Sequence, residues 1–233
     1  MLKTGSETRR PNIRKAALHL SSLAPLHKAL NMDTYGNFFI SILLKFFFLL
    51  TPFFVLSTFL AMTQHSSALQ RRKIALQVTM AVLVTCFTLY FFGNTLFSLF
   101  GVTLDSFRIG AGCLLFLSAV HMVHGDDTAP PSERREAIAV VPLAIPVTVG
   151  PGTTGALLVM GAEMQQAWQV FVGCAALAAA VLCVGAILVS ASMIENLLGK
   201  KGIAILSKLT GLFVSALAAQ IVFTGVRNFL AVK

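Results

Sequence analysis

Residues 141–160 read Val-Pro-Leu-Ala-Ile-Pro-Val-Thr-Val-Gly-Pro-Gly-Thr-Thr-Gly-Ala-Leu-Leu-Val-Met. The stretch is apolar enough to enter a bilayer, yet its three prolines and three glycines forbid one continuous helix. Each carbonyl left without an N–H partner in hydrocarbon would cost several kcal/mol. We therefore predict a broken helix that packs against protein or lines a polar cavity, as in transporters that bind substrate at such breaks. The alternative is a proline-kinked helix that only packs.

The composition of the whole chain indicates a membrane protein. Its 233 residues are 56% hydrophobic and 12% charged, with a mean hydropathy of +0.82, whereas ordinary globular chains carry about 25% charged residues. The net charge of +9 could suggest nucleic acid as a partner. Most of the excess, however, lies in the N-terminal tail and short loops, where positive charge orients membrane proteins. The sequence thus predicts the lipid bilayer as a partner and no nucleic acid.

Six transmembrane segments are predicted, each near the ~20 apolar residues that a bilayer core requires. They cover about 37–62, 74–92, 107–123, 137–160, 168–192 and 203–224. The four cysteines all fall inside apolar runs, so we interpret them as small buried residues rather than a disulfide framework or a zinc site. We predict an all-α polytopic fold without a cofactor.

The two halves of the chain resemble each other at a nearly constant offset. Thr51-Pro52 interrupts the first segment as Gly150-Pro151 interrupts the fourth, and Gly125 and Gly225 follow the third and sixth segments. With three segments per half, the second copy must cross the membrane in the opposite sense, which is the inverted repeat of many secondary transporters. The predicted regions are a basic tail (1–31), a first three-span repeat (32–125), a hydrophilic loop (126–136) and a second three-span repeat (137–233).

The basic tail, residues 1–31, admits three interpretations: a flexible tail, a targeting segment or a start codon assigned too early. No long apolar core precedes a small-residue cleavage site, so a secretory signal peptide is not predicted. Met32 is a credible alternative start, and we favour a disordered tail or this later start. With a start at Met32, Lys and Arg in the loops after segments one, three and five would place both termini outside.

The interruptions carry the chemistry that we expect at a substrate site. Proline is favoured at the first position of a helix, so Pro52 and Pro151 are predicted to begin half-helices inside the membrane. Two such N-termini would direct free N–H groups at one spot, which suits a carboxylate or another small anion. Threonine hydroxyls add donors and acceptors, and Gly150, Gly152 and Gly155 would let a ligand approach the backbone. The predicted substrate-binding residues are Thr51, Pro52, Arg108, Pro146, Thr148, Gly150, Pro151, Gly152, Thr153 and Thr154.

Charged residues are scarce inside the predicted segments. No Asp or Glu falls within them, so neither a carboxylate proton relay nor an acidic sodium site is expected. Lys45 lies farther from a segment end than Arg108 and Lys208 do, and it either serves the substrate or extends to the interface. Asp105 and Arg108 are expected to form a local ion pair, with Arg108 reaching towards the substrate as the alternative.

Three residues at the end of the third segment raise a competing hypothesis. His121 and His124 lie one helical turn apart and precede Asp126, so a metal-dependent enzyme is conceivable. No Glu or further His completes a ligand set, and we favour a polar segment end without metal. A membrane scaffold that transports nothing is a further alternative.

Residues 141–153, Val-Pro-Leu-Ala-Ile-Pro to Gly-Pro-Gly-Thr, resemble the signature of the MarC family of bacterial inner-membrane proteins, as do residues 108–112 and the proline-containing first segment. The resemblance covers residues from about 32 to the C-terminus. It implies a six-span plasma-membrane protein of the LysE-like exporter superfamily, with neutral amino-acid transport described for some relatives. Many members have Asn where this chain has Thr51, so the substrate preference is expected to differ.

Together these features predict a multi-pass inner-membrane secondary transporter or exporter, not an enzyme. Its substrate would be a small neutral amino acid or a similar zwitterionic or anionic solute. Carbonyls freed before each break could accept from an ammonium group, so a zwitterion needs no buried side-chain charge. Association with a second copy of the chain is compatible with the sequence.

Overall fold

The computed structural model describes residues 36–124, 149–164 and 166–231. Over these ranges the chain is helical, with short turns and no strand. The chain divides into two units, 1–40 and 41–233. In the first unit only residues 36–40 are described, and they are helical. The predicted tail, the loop 126–136, Pro146 and Thr148 lie outside the described residues.

Each helix overlaps a predicted segment, although α3 and α7 extend well beyond theirs at both ends. They are α1 (36–49), α2 (Pro52–Thr63), α3 (Ala68–Phe100), α4 (Leu104–His124), α5 (Pro151–Glu163), α6 (Ala167–Val189) and α7 (Ala191–Ala231). Among the described residues, five helical runs are long and apolar enough to cross a membrane, namely Gly36–Thr63, Ala68–Gly93, α4, α6 and α7. The all-helical polytopic fold is thereby confirmed. The six-span inverted repeat stays a prediction, since residues 137–148 of the fourth segment are not among those described.

Local signals explain where the long helices end. Ser67 and Gln70 form a reciprocal capping box at the start of α3, and Gly101, with φ 62°, ends that helix. The 41 residues of α7 would measure about 60 Å as a straight helix, twice the ~30 Å hydrocarbon thickness. Gly199, with φ 66° and ψ 169°, interrupts α7. Its missing Cβ makes that conformation accessible.

Glycines allow the helix backbones to approach each other closely. A methyl group added at Gly112 of α4 would lie 3.0 Å from the carbonyl oxygen of Ala218 in α7. One added at Gly161 of α5 would lie 2.0 Å from the carbonyl oxygen of Tyr90 in α3. In lipid, where burial of apolar surface adds little between helices, close packing of small residues is a main source of association.

The first interruption has a strained backbone. Thr51 has φ 48° and ψ 57°, and it is the one non-glycine residue with positive φ in the described ranges. Its N–H donates to the carbonyl of Phe48 at 3.0 Å, which supplies the partner that Pro52 cannot. The carbonyl of Thr51 then accepts from the N–H of Val55 at 3.0 Å, so α2 begins at Pro52 as predicted.

The second interruption begins α5 in the predicted way. Gly150 caps the helix, Pro151 is its first residue, and the N–H of Thr154 donates to the carbonyl of Gly150 at 2.8 Å. A methyl group added at Gly152 would lie 2.6 Å from Cα of Leu115 in the middle of α4. The start of α5 is therefore level with the middle of a helix that is long and apolar enough to span the membrane.

Replacing Thr51 by Asn should stabilise the protein. The left-handed region disfavours β-branched residues and is tolerated by Asn, so T51N should raise the free energy of unfolding by about 1 kcal/mol. Thermal unfolding in detergent would measure this change. T51V is the matched control because it keeps the β-branch. A melting temperature of T51N below that of T51V would contradict the inference that the backbone at position 51 is strained.

Gly152 and Gly110 form a matched pair for testing the contact between α4 and α5. G152A should destabilise the protein by about 1–3 kcal/mol, because its methyl group would overlap the α4 backbone. Gly110 has open space around it, so G110A should be neutral or stabilising by up to about 1 kcal/mol through helix propensity. Melting temperatures in detergent would distinguish G152A from G110A. Equal effects of the two substitutions would contradict the close contact between α4 and α5 at Gly152.

Candidate functional site

The two interruptions meet inside the protein. The hydroxyl of Thr153, in the first turn of α5, donates a hydrogen bond of 3.3 Å to the carbonyl of Leu49 at the end of α1. Thr153 is 7% exposed and Leu49 2% exposed. In an uninterrupted helix the Leu49 carbonyl would pair with the N–H four residues later. The break frees this acceptor, and the threonine hydroxyl of the other broken segment satisfies it.

A cavity of about 260 Å³ lies beside this hydrogen bond and shares Leu49 with it. The cavity lies between α1, α5 and α7. Its lining residues are Lys45, Leu49, Val159, Met160, Glu163, Leu217, Gln220, Ile221 and Thr224. Most of the wall is apolar, and the polar groups are few and of both charges, which is the usual make-up of a small-molecule site.

The two charged residues of the lining have opposite signs and come from different helices. Lys45 of α1 is half-buried and makes no ion pair or hydrogen bond with the residues that the structure describes. Glu163 is the last residue of α5, and its carboxylate uses only Oε1 in the contacts observed. The cavity can therefore offer an ammonium group and a carboxylate oxygen to one solute.

Arg108 fixes the carboxylate of Glu163. Its Nε and Nη2 donate to Oε1 of Glu163 at 3.0 and 2.8 Å, and its Nη1 donates to Oδ1 of Asp105. Asn228 of α7 donates to the same Asp105 oxygen at 3.3 Å. The predicted ion pair between Asp105 and Arg108 is thus confirmed. Arg108 is 9% exposed and is absent from the cavity lining, so it reaches the site through Glu163.

Glu163 was missed by the sequence analysis, which ended the fourth segment at Met160 and counted no acid inside it. Helix α5 continues through Ala162, which is 4% exposed, and ends only where Met164 leaves the helical conformation. Val159 and Ala162 are apolar and lie three residues apart. This helical spacing could have indicated that the buried face of the helix continues beyond Met160.

Gln220 and Thr224 were also not predicted. They lie four residues apart on α7 and thus on one helix face, and the hydroxyl of Thr224 donates to the carbonyl of Gln220 at 2.8 Å. A pair of polar residues at this spacing in an apolar segment could have indicated a cavity-facing stripe. Neither residue carries a charge or interrupts the helix, so the pattern of prolines and glycines did not indicate them.

The glycines of the second interruption are used for packing. A methyl group at Gly155 would lie 2.5 Å from Cβ of Ala111, and the space beside Gly152 is filled by the backbone of α4. Thr51 and Pro52 are buried, Thr154 is half-buried and Pro151 is exposed. The hydrogen bond between Thr153 and Leu49 is thus the contact between the two interruptions that the structure describes. The cavity lies next to this contact, because Leu49 also belongs to the cavity lining.

The histidines at the end of α4 are both exposed. Nδ1 of His124 lies 3.1 Å from the carbonyl oxygen of Val120, one turn earlier. In the ranges that the structure covers, no group of three or more His, Cys, Asp or Glu residues could hold a metal ion. Asp126 lies outside those ranges. Of the three residues that suggested a metal site, the structure therefore describes the two exposed histidines.

Known proteins resemble the chain over most of its length. The model of the MarC family integral membrane protein matches residues 36–230. UPF0056 membrane protein YhcE of Escherichia coli is 31% identical over 206 residues, which cover 85% of this chain and 94% of the relative. A UPF0056 membrane protein of Buchnera aphidicola is 30% identical over 201 residues, covering 82% and 94%. A third, from Methanocaldococcus jannaschii, is 29% identical over 201 residues, covering 83% and 98%.

No solved structure matches the chain. The family match covers α1 to α7, including both interruptions and the lining of the cavity. It also agrees with the resemblance that residues 141–153 and 108–112 carry. This chain is therefore a multi-pass membrane protein that belongs to the MarC family.

Proposed function

We propose that the protein is a secondary transporter for a small zwitterionic solute of the neutral amino-acid type, acting in the bacterial inner membrane. One observation carries the proposal: a cavity beside two meeting helix breaks has Lys45 and Glu163 in the same lining. The relatives are named only as membrane proteins, so the substrate class rests on the chemistry of the cavity.

The lining suits a molecule with one charge of each sign. A substrate carboxylate would accept from the ammonium group of Lys45, and a substrate ammonium would donate to Oε2 of Glu163. Charge-assisted hydrogen bonds of this kind are the strong ones, and pairing both charges offsets the cost of desolvation. Leu49, Val159 and Leu217 would surround an aliphatic side chain.

The size of the cavity favours a small solute. A volume of about 260 Å³ would hold roughly eight or nine waters at about 30 Å³ each. Drug-sized ligands occupy pockets of about 300–1,000 Å³. A single amino acid is therefore a better match than a peptide or an antibiotic.

The meeting of the two interruptions supports transport rather than catalysis. The hydrogen bond from Thr153 to Leu49 joins two chain segments that have no continuous helix through them. Such a contact can break without unwinding either helix, and broken helices at the site are a recurring feature of alternating-access carriers. We expect no enzymatic turnover of the solute.

Lys45 and Lys208 form a matched pair for testing this site. Both are lysines on apolar helices, but Lys208 is exposed and outside the cavity lining. In reconstituted vesicles K45Q should lower neutral amino-acid flux at sub-saturating substrate by about tenfold or more, as expected for loss of a charge-assisted hydrogen bond. K208Q should retain wild-type flux. Equal fluxes in wild type and K45Q, or no flux of any amino acid in wild type, would reject the site.

Blocked substrates test which charge meets which residue. Wild-type protein should prefer a free amino acid to its carboxamide and to its N-acetyl derivative, because each blocked form leaves one lining charge unpaired. K45Q should lose the discrimination against the carboxamide and keep that against the N-acetyl form. Competition for labelled amino-acid uptake measures both ratios. Loss of both preferences together would indicate a collapsed site rather than a specific pairing.

A further inference from the structure

A second cavity, of about 280 Å³, lies at the opposite end of the helices from the Arg108 network. It is formed where α2 ends, α3 begins and α7 is interrupted. Its lining residues are Ser57, Leu60, Ala61, Gln64, Arg71, Glu195, Lys200 and Ile203. The proposed transport site does not include any of these residues, so this cavity needs an explanation of its own.

Arg71 is held in place by neutral acceptors. Its Nη1 donates to the hydroxyl of Ser192 at 2.8 Å, and its Nη2 donates to the carbonyl of Thr63 at 3.1 Å. Its Nε is buried and has no partner among the residues that the structure describes. Oε2 of Glu195 lies 4.0 Å from Nη1, which is beyond hydrogen-bond distance. The guanidinium is thus held in place with two of its five N–H donors used and with a long ion pair to Glu195.

The charge around the cavity is positive. The lining contains two basic residues, Arg71 and Lys200, and one acidic residue, Glu195. Arg72 and Lys201, their neighbours in sequence, are exposed and outside the lining. The excess of Lys and Arg at this end also predicts that it faces the cytoplasm.

Apolar side chains accompany these charges at the same end of the helices. Met193 and Leu197, on the segment of α7 before Gly199, are 73% and 79% exposed, and Leu69 at the start of α3 is 82% exposed. Each of these three residues lies two positions from a lining residue, Arg71 or Glu195, and therefore on a different face of its helix. Their exposure suits contact of this end of the helices with acyl chains, whose head groups would lie level with the cavity.

We propose that this cavity binds the phosphate group of an anionic phospholipid. Arg71 retains one further N–H on each of Nη1 and Nη2, which suits phosphate oxygens, and Lys200 supplies a second positive charge in the same lining. A free phosphate ion shares this chemistry, but the cavity lies at the end of apolar helices that can cross a membrane, where phospholipid head groups lie. The proposal does not depend on the transport function.

Lipid titration of the purified full-length protein tests the proposal. Phosphatidylglycerol added to the protein in neutral detergent should raise the melting temperature, and phosphatidylcholine with the same chains should not. K200Q and R71K should weaken the phosphatidylglycerol effect, with about a tenfold rise in apparent Kd for loss of a charge-assisted contact. E195Q should strengthen it, because the competing carboxylate is removed.

Neighbouring residues provide the controls. R72Q and K201Q remove the same charges one position away, outside the lining, and should bind phosphatidylglycerol like the wild type. Equal losses in K200Q and K201Q would overturn the proposal in favour of general surface attraction. Stabilisation by phosphatidylcholine, or by inorganic phosphate to the same extent as by phosphatidylglycerol, would overturn the lipid assignment. Even if no amino acid is transported, a lipid effect specific to Arg71 and Lys200 would stand.

Discussion

Backbone polar groups inside a bilayer must find partners within the protein, and this constraint governs both interruptions. Pro52 and Pro151 each remove an N–H donor from an apolar segment. The structure compensates at the first break through a strained Thr51 and through the hydroxyl of Thr153, which reaches the Leu49 carbonyl across 3.3 Å. Two segments that could not satisfy themselves as straight helices are thus held together, and the cavity forms against them.

The arginine side chains between the helices also find partners within the protein. Arg108 is buried, and it donates to acceptors on two helices, Asp105 on its own helix and Glu163 on α5. Asn228 of α7 donates to the same Asp105 carboxylate. At the other end Arg71 joins α3 to the end of α2 and the start of α7. At each end of the helices, one arginine therefore links neighbouring helices through hydrogen bonds. Lys45 differs, since it lines a cavity without a fixed partner in the described chain, and the proposed binding of a solute depends on it most directly.

Much of the helical architecture could be predicted because its causes are local. Proline fixes where α2 and α5 begin, and uninterrupted apolar runs predict α4 and α6 to within a few residues. Helices α3 and α7 extend well beyond the predicted segments at both ends, because polar residues continue each helix past its apolar run. The lining of the cavity could not be predicted to the same extent. Glu163, Gln220 and Thr224 are polar residues without any local signature of their own. Only the packing of α1, α5 and α7 gives them a shared cavity. Gly152 and Gly155 were expected to leave room for a ligand, but they leave room for α4 instead, because close packing in lipid uses the same small residues.

The sequence by itself determined that this chain is a membrane protein of broken apolar helices, that it resembles the MarC family, and where the breaks lie. These properties follow from composition and from the missing N–H of proline, which act on neighbouring residues. The tertiary structure alone decided that Thr153 satisfies Leu49, that Arg108 holds Glu163, and that Lys45 and Glu163 share one cavity. Those pairs are separated by 55 residues or more along the chain. Only the close approach of helices, set by which small residues face each other, brings such distant residues together.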